Sequence, residues 1–183
     1  RDLPEYGAGD FNDISLQDFD WLHFEGRDIS ALTCMLERVR RQHPAIPVSL
    51  EVEKQRDGIE ALFGQADVLL FSEDYARYRG YDEPAALLQG VSRLAPGADM
   101  YCTWGATGAL SMDRSGVLYR QAALATGPVV DTLGAGDAFN AGVIAGYLDG
   151  NDMPGILRQA CDLAGRKCMQ RGFAGLTVMD GQT

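Results

Sequence analysis

With 183 residues, the chain is long enough to enclose one substantial hydrophobic core. Hydrophobic residues make up 46% of it, which excludes a disordered chain and points to a globular one. A net charge of -10, from 16 basic and 26 acidic residues, argues against nonspecific binding to nucleic acid or an anionic membrane, although local backbone dipoles can still hold a phosphate.

Strand-like and helix-like segments alternate along the chain. The acids Asp10, Asp13, Asp18 and Asp20 read as solvated residues of a loop. Residues 21–25 predict a strand ending at Gly26, and residues 30–41 predict a helix with Leu32, Met35 and Val39 on one face. Pro44 and Pro47 bracket a turn before a strand over residues 48–52, and residues 59–63 predict a short helix closed by Gly64. The continuous apolar run at 68–71 predicts a strand covered on both faces. Helices over 73–78 and 84–94 and a strand over 100–104 follow.

A turn at residues 113–116 predicts a hairpin between strands 109–112 and 117–120. A helix should start after Gly134, run to about Leu148 and stop near Gly150. The last helix has Asp152 as its N-cap and Pro154 in its first turn, and should end near Gly172. This alternation predicts one α/β domain over residues 1–183, with a mainly parallel sheet and helices on its faces.

No apolar run reaches the length of roughly 20 residues that a membrane span needs, and no signal peptide is visible. Cys34, Cys102, Cys161 and Cys168 form no C-x-x-C pair and read as free thiols of a reducing, cytoplasmic compartment. The chain starts at Arg1 without a methionine, so an N-terminal portion is expected to be absent. His23 and His43 have no metal-ligand spacing around them and read as structural, and Lys54 reads as salt-bridging.

The chemistry concentrates in Gly134, Ala135, Gly136 and Asp137, placed between a β-branched run and a helical pattern. The first amides of a helix lack intrahelical partners and carry partial positive charge, and glycines let an anion approach them. Asp137 would repel a passively bound phosphate. Its place makes sense when a hydroxyl lies between the two and gives up a proton during transfer. The plainer reading, Asp137 as an N-cap with the glycines serving strand–helix packing, is equally open on spacing alone. A dinucleotide fingerprint lacks its third glycine, since Phe139 stands there, and no Walker A sequence occurs.

The run from Asp131 to Asp137 resembles the second signature of the PfkB, or ribokinase-like, carbohydrate kinases. Residues 21–27, 51–54, 62–64 and 164–168 further resemble the ketohexose-phosphorylating members, and the likeness extends from near Leu3 to Leu176. The resemblance implies a three-layer ribokinase-like sandwich whose N-terminal strands and β-lid are absent from this chain. It implies Asp137 as catalytic base, Gly134, Ala135 and Gly136 as the anion hole, and ATP with Mg2+ as donor. The implied acceptor is a sugar, most simply fructose at its C1 hydroxyl. It places Gly105, Ala106, Thr107 and Gly108 along the nucleotide, with Phe139, Ala164 and Cys168 on the adenine wall and Cys161 either there or in plain helix packing.

The lid implies a homodimer, and the absent portion would carry most sugar contacts. Two departures stand out. Where many members have N-x-x-E, this chain reads Ser72-Glu73-Asp74-Tyr75, so no protein metal ligand is assigned and magnesium is expected on phosphate and water. Residues 124–128 lack the expected aromatic and proline-rich character.

Overall fold

The computed structural model describes residues 6–124 and 127–176. Six strands form one sheet in sequential order: β1 (Leu22–Glu25), β2 (Val48–Val52), β3 (Val68–Phe71), β4 (Asp99–Thr103), β5 (Ala109–Met112) and β6 (Leu118–Gln121). The first four are parallel, and β5 and β6 return antiparallel. Their connections are α2 (Ile29–Gln42), a 3-10 segment (Ile59–Gln65), and α3 (Glu73–Tyr78) with α4 (Pro84–Val91). Right-handed crossovers in a sheet that grows in one direction put all of these on one face. The opposite face is covered by α5 (Ala135–Leu148) and α6 (Met153–Cys168).

Strand alternation divides the core accordingly. Leu50, Leu69, Phe71, Met100, Cys102 and Leu110 pack under α2 and α4, whereas Val68, Leu70, Tyr101 and Ala109 pack under α5 and α6. The apolar run at 68–71 is buried throughout, as expected for a strand covered on both sides. Helices α5 and α6 pack with almost no gap. A Cβ at Gly142 would stand 2.7 Å from the Ala160 Cα, and one at Gly146 would stand 2.9 Å from the Ile156 Cγ1.

Several boundaries differ from the expected ones, for local reasons. Residues 59–65 wind as a 3-10 segment that carries through Gly64, too short to pay for an α-helical nucleus. The final helix stops at Cys168, not near Gly172, with Met169 as its C-cap. Asp10 lies in a helix of five residues, α1 (Ala8–Asn12), not in a plain loop, and its carboxylate accepts from the Gly7 amide at 2.9 Å. Asp152 caps α6 as expected, accepting from the Gly155 amide at 2.9 Å. Ala125 and Thr126, inside the departing stretch before the signature, lie outside the described residues.

Candidate active site

Parallel strands deliver their carboxyl ends to a single edge, where open α/β sheets place their ligands. At that edge Glu25 and Glu51 sit side by side in the β1–β2 register. With Arg27, Glu53, Lys54 and Arg56 they line a polar cleft of about 480 Å³. Among the described residues, Lys54 is ion-paired to its neighbour Glu53 at 3.5 Å.

Helix α5 points its first turn toward this region. Gly134 is its N-cap, in the left-handed region at φ 82°, so the sharp entry into the helix requires a glycine. Ala135 N donates to Thr132 O at 3.1 Å. Among the described residues the amides of Gly134, Gly136 and Asp137 have no acceptor. Asp137 is exposed in the first turn, three residues past the cap, so the N-cap reading of this aspartate does not hold.

Asn140, one turn on, is buried and donates through Nδ2 to Glu51 Oε1 at 2.7 Å. Burial pushes the Glu51 carboxyl above its ordinary value of 4.5, and the negative charges of Glu25, Asp137 and Glu53 add to this while the Asn140 hydrogen bond opposes it. Desolvation lowers His23, whose Nδ1 lies 2.8 Å from Ser49 Oγ, against the pull of Glu25 and Asp137. The field of Asp137 is thus felt by groups on both strands.

The turn after β4 is closed tightly. Trp104 N donates to Gly108 O at 2.7 Å and Gly108 N to Gly105 O at 3.2 Å. Gly105, Ala106 and Thr107 are exposed, while Gly108 is buried at φ 108° with room for no Cβ, which would meet Gln121 O at 2.1 Å. Glu73 begins α3 beside this turn, ion-paired to Arg77 at 2.8 Å, and the Arg77 guanidinium lies over the Trp104 ring at 5.0 Å.

Phe139, which the resemblance places on the adenine wall, packs into the core. It is 2% exposed, with its ring edge-on to Tyr101. Two residues beyond Asp137 is a rotation of about 200° around a helix, which turns Phe139 to the sheet when Asp137 faces out. Ala164 packs against the same core, and Cys161 is buried within it. The Cys168 carbonyl accepts from Val130 N at 2.7 Å and Asp131 N at 3.1 Å.

Four contributors escaped sequence reasoning: Glu51, Asn140, Asp131 and Lys167. The Lys167 ammonium, fully buried, donates to Asp131 O at 3.0 Å and Asp131 Oδ2 at 3.1 Å. A signal existed for it, because Lys167 falls four residues after Leu163 and seven after Ala160, on the apolar stripe of its helix.

Residues 8–176 match the pfkB family carbohydrate kinase sequence pattern. The chain belongs to the pfkB family of carbohydrate kinases. It is 39% identical over 181 residues to mouse (Mus musculus) ketohexokinase, covering 95% of this chain and 61% of that protein. Its fold superposes on a PfkB protein from Polaromonas sp. JS666 with a TM-score of 0.74 at 25% identity, covering 94% of this chain and 60% of that one. A ribokinase from Arabidopsis thaliana, complexed with ribose and ATP, shares the fold at a TM-score of 0.70 and 21% identity, covering 82% of this chain and 50% of that one. The pfkB chain described here therefore spans about three-fifths of the length of its curated relative.

Proposed function

We propose that the protein transfers the terminal phosphoryl group of ATP to a sugar hydroxyl, with fructose as acceptor and fructose 1-phosphate as product. The observation that carries this reading is an exposed carboxylate, Asp137, in the first turn of a helix whose amides at 134, 136 and 137 lack acceptors, beside a polar cleft at the strand ends. The choice of fructose rests on the identity with mouse ketohexokinase.

In this mechanism Asp137 accepts the proton of the attacking hydroxyl as its oxygen bonds to phosphorus, and the bond from phosphorus to the ADP oxygen breaks. The backbone turn through Gly134, Ala135 and Gly136 cradles the transferred group; the Ala135 amide is held by Thr132 O, so the donors left for the negative charge are the amides of 134, 136 and 137. Gly105, Ala106, Thr107 and Gly108 run along the nucleotide with Ala164 and Cys168, and Phe139 braces the helix from below. Magnesium would be held through the ATP it accompanies, with no side chain of this chain assigned to it, and would supply neutralisation of phosphate charge. A cytoplasmic location and a homodimer formed through the lid of a longer protein belong to the same reading, the latter checked by light scattering.

The test is ADP release, coupled to an absorbance readout, by a form of the protein that also carries the sugar-contacting portion, over a panel of fructose, ribose and a nucleoside. Fructose-dependent release supports the proposal. Release with another acceptor moves the specificity, and ATP binding without release identifies a nucleotide-binding module. Asp137→Asn is expected to lower kcat by about 10²–10⁴-fold while the ATP dissociation constant stays nearly unchanged. Equal loss of both would remove Asp137 from the role of base.

A further inference from the structure

Lys167 carries a charge into the protein interior: its exposure is 0%. A buried ammonium persists only when its protons are all bonded. Here three oxygens receive them: Asp131 O at 3.0 Å, Asp131 Oδ2 at 3.1 Å and Gln170 O at 3.3 Å. The Phe173 ring lies 5.7 Å from the nitrogen and adds a cation–π contact. The other oxygen of the same carboxylate, Asp131 Oδ1, accepts from Leu133 N at 3.0 Å. Next to it, the Cys168 carbonyl receives both Val130 N and Asp131 N. The end of α6 therefore grips residues 130–133 through side chain and backbone together. The residue after that grip is Gly134, the cap whose neighbouring amides are open. Phe173 closes the other side, since a Cβ on Gly134 would fall 2.3 Å from its Cζ.

We propose that Lys167 is a positioning residue, an internal cation that fixes residues 131–133 so that the open amides at 134, 136 and 137 stay converged on an anion. The proposal rests on reading that cradle as the phosphate site. Lys167 acts through Asp131 and the loop backbone, not through contact with the nucleotide. A loop fixed in advance loses little entropy when the anion arrives, so the benefit of Lys167 appears in binding phosphate groups and not in binding the nucleoside. A lysine that merely stabilised the fold would affect both ligands alike.

The experiment uses the 183-residue chain, its Lys167→Met, Lys167→Ala and Asp131→Asn variants, and ATP and adenosine as probes in calorimetry. Amide hydrogen exchange is followed over residues 130–137 without ligand. Lys167→Met is expected to speed exchange in that segment by about tenfold and to weaken ATP by about tenfold, with adenosine held within about twofold. Propylammonium, which supplies the missing cation to the space left by Lys167→Ala, should restore slow exchange and ATP affinity. Unchanged exchange, or equal loss of ATP and adenosine, overturns the proposal. If the parent chain binds no ATP, the kinase reading is what fails, and exchange at 130–137 still decides whether Lys167 holds the loop. If Lys167→Met fails to fold, Asp131→Asn, which keeps the acceptor for Leu133 N and loses the charge, carries the same comparison.

Discussion

Asp137 and Glu51 are both carboxylates at one edge of the sheet, and their surroundings differ. Asp137 is exposed on the first turn of α5, free to meet a hydroxyl. Glu51 is tied to Asn140 and displaced above 4.5, chiefly by burial. A carboxyl whose folded value exceeds its unfolded one holds more protons in the native state, so its contribution to stability is complete below 4.5 and is lost as pH rises through the folded value. Glu51→Gln keeps an oxygen for Asn140 without the charge. Its thermal midpoint should equal the parent's near pH 4 and exceed it by about 2–4 °C at pH 8, as followed by circular dichroism. A lower midpoint at pH 8 would show that the charged Asn140–Glu51 bond outweighs burial. At this scale the glycine setting of Asp137 marked it as a candidate in the sequence, whereas nothing marked Glu51 or Lys167. Their partners lie 89 and 36 positions away, and only folding brings them together.

Elements with strong periodicity were legible. The α2 boundaries fall within one residue of expectation, and the hairpin strands within one residue as well. What failed was short elements and one helix end: the five residues of α1 contain too little pattern, the 3-10 turn at Leu16–Asp18 has even less, and α6 stops four residues before the expected Gly172. The entry to α5 gives a prediction of its own. Nothing stands within 4 Å of a Cβ built on Gly136, so neither packing nor a positive φ demands glycine there. Alanine in a helical turn should stabilise the fold by about 0.5–1 kcal/mol, measured by urea denaturation. The same methyl group would project where phosphate is expected, so Gly136→Ala should bind ATP more weakly although more stable. A stable variant with full ATP affinity would move the anion away from this helix end.

Across the whole molecule, the alternating pattern implied a mainly parallel sheet with helices on both faces, and the sheet has that form. The strand order was not written in the pattern, because each parallel pairing depends on contacts between distant segments. Nor does the pattern show the apolar cleft of about 680 Å³ beside β1, where Phe11, Leu16, Phe19 and Phe24 come together from separate elements. A body of net charge -10 repels ATP at long range, while the helix end attracts it only nearby. Nucleotide association should therefore quicken as salt rises from about 0.01 M to 0.15 M, as read by stopped-flow fluorescence. Slower association would mean that a local positive field already reaches into solvent.

The glycine faces of α5 at Gly142 and Gly146 have a mechanical consequence. With the Ala160 backbone and the Ile156 side chain seated against them, α5 lies too close to its partner for a side chain to stand at either position, a close-packed seam that resists displacement. The helix bearing Asp137 is thus an anvil. On the proposed reading, any closure around the reactants is made by parts that move toward this helix.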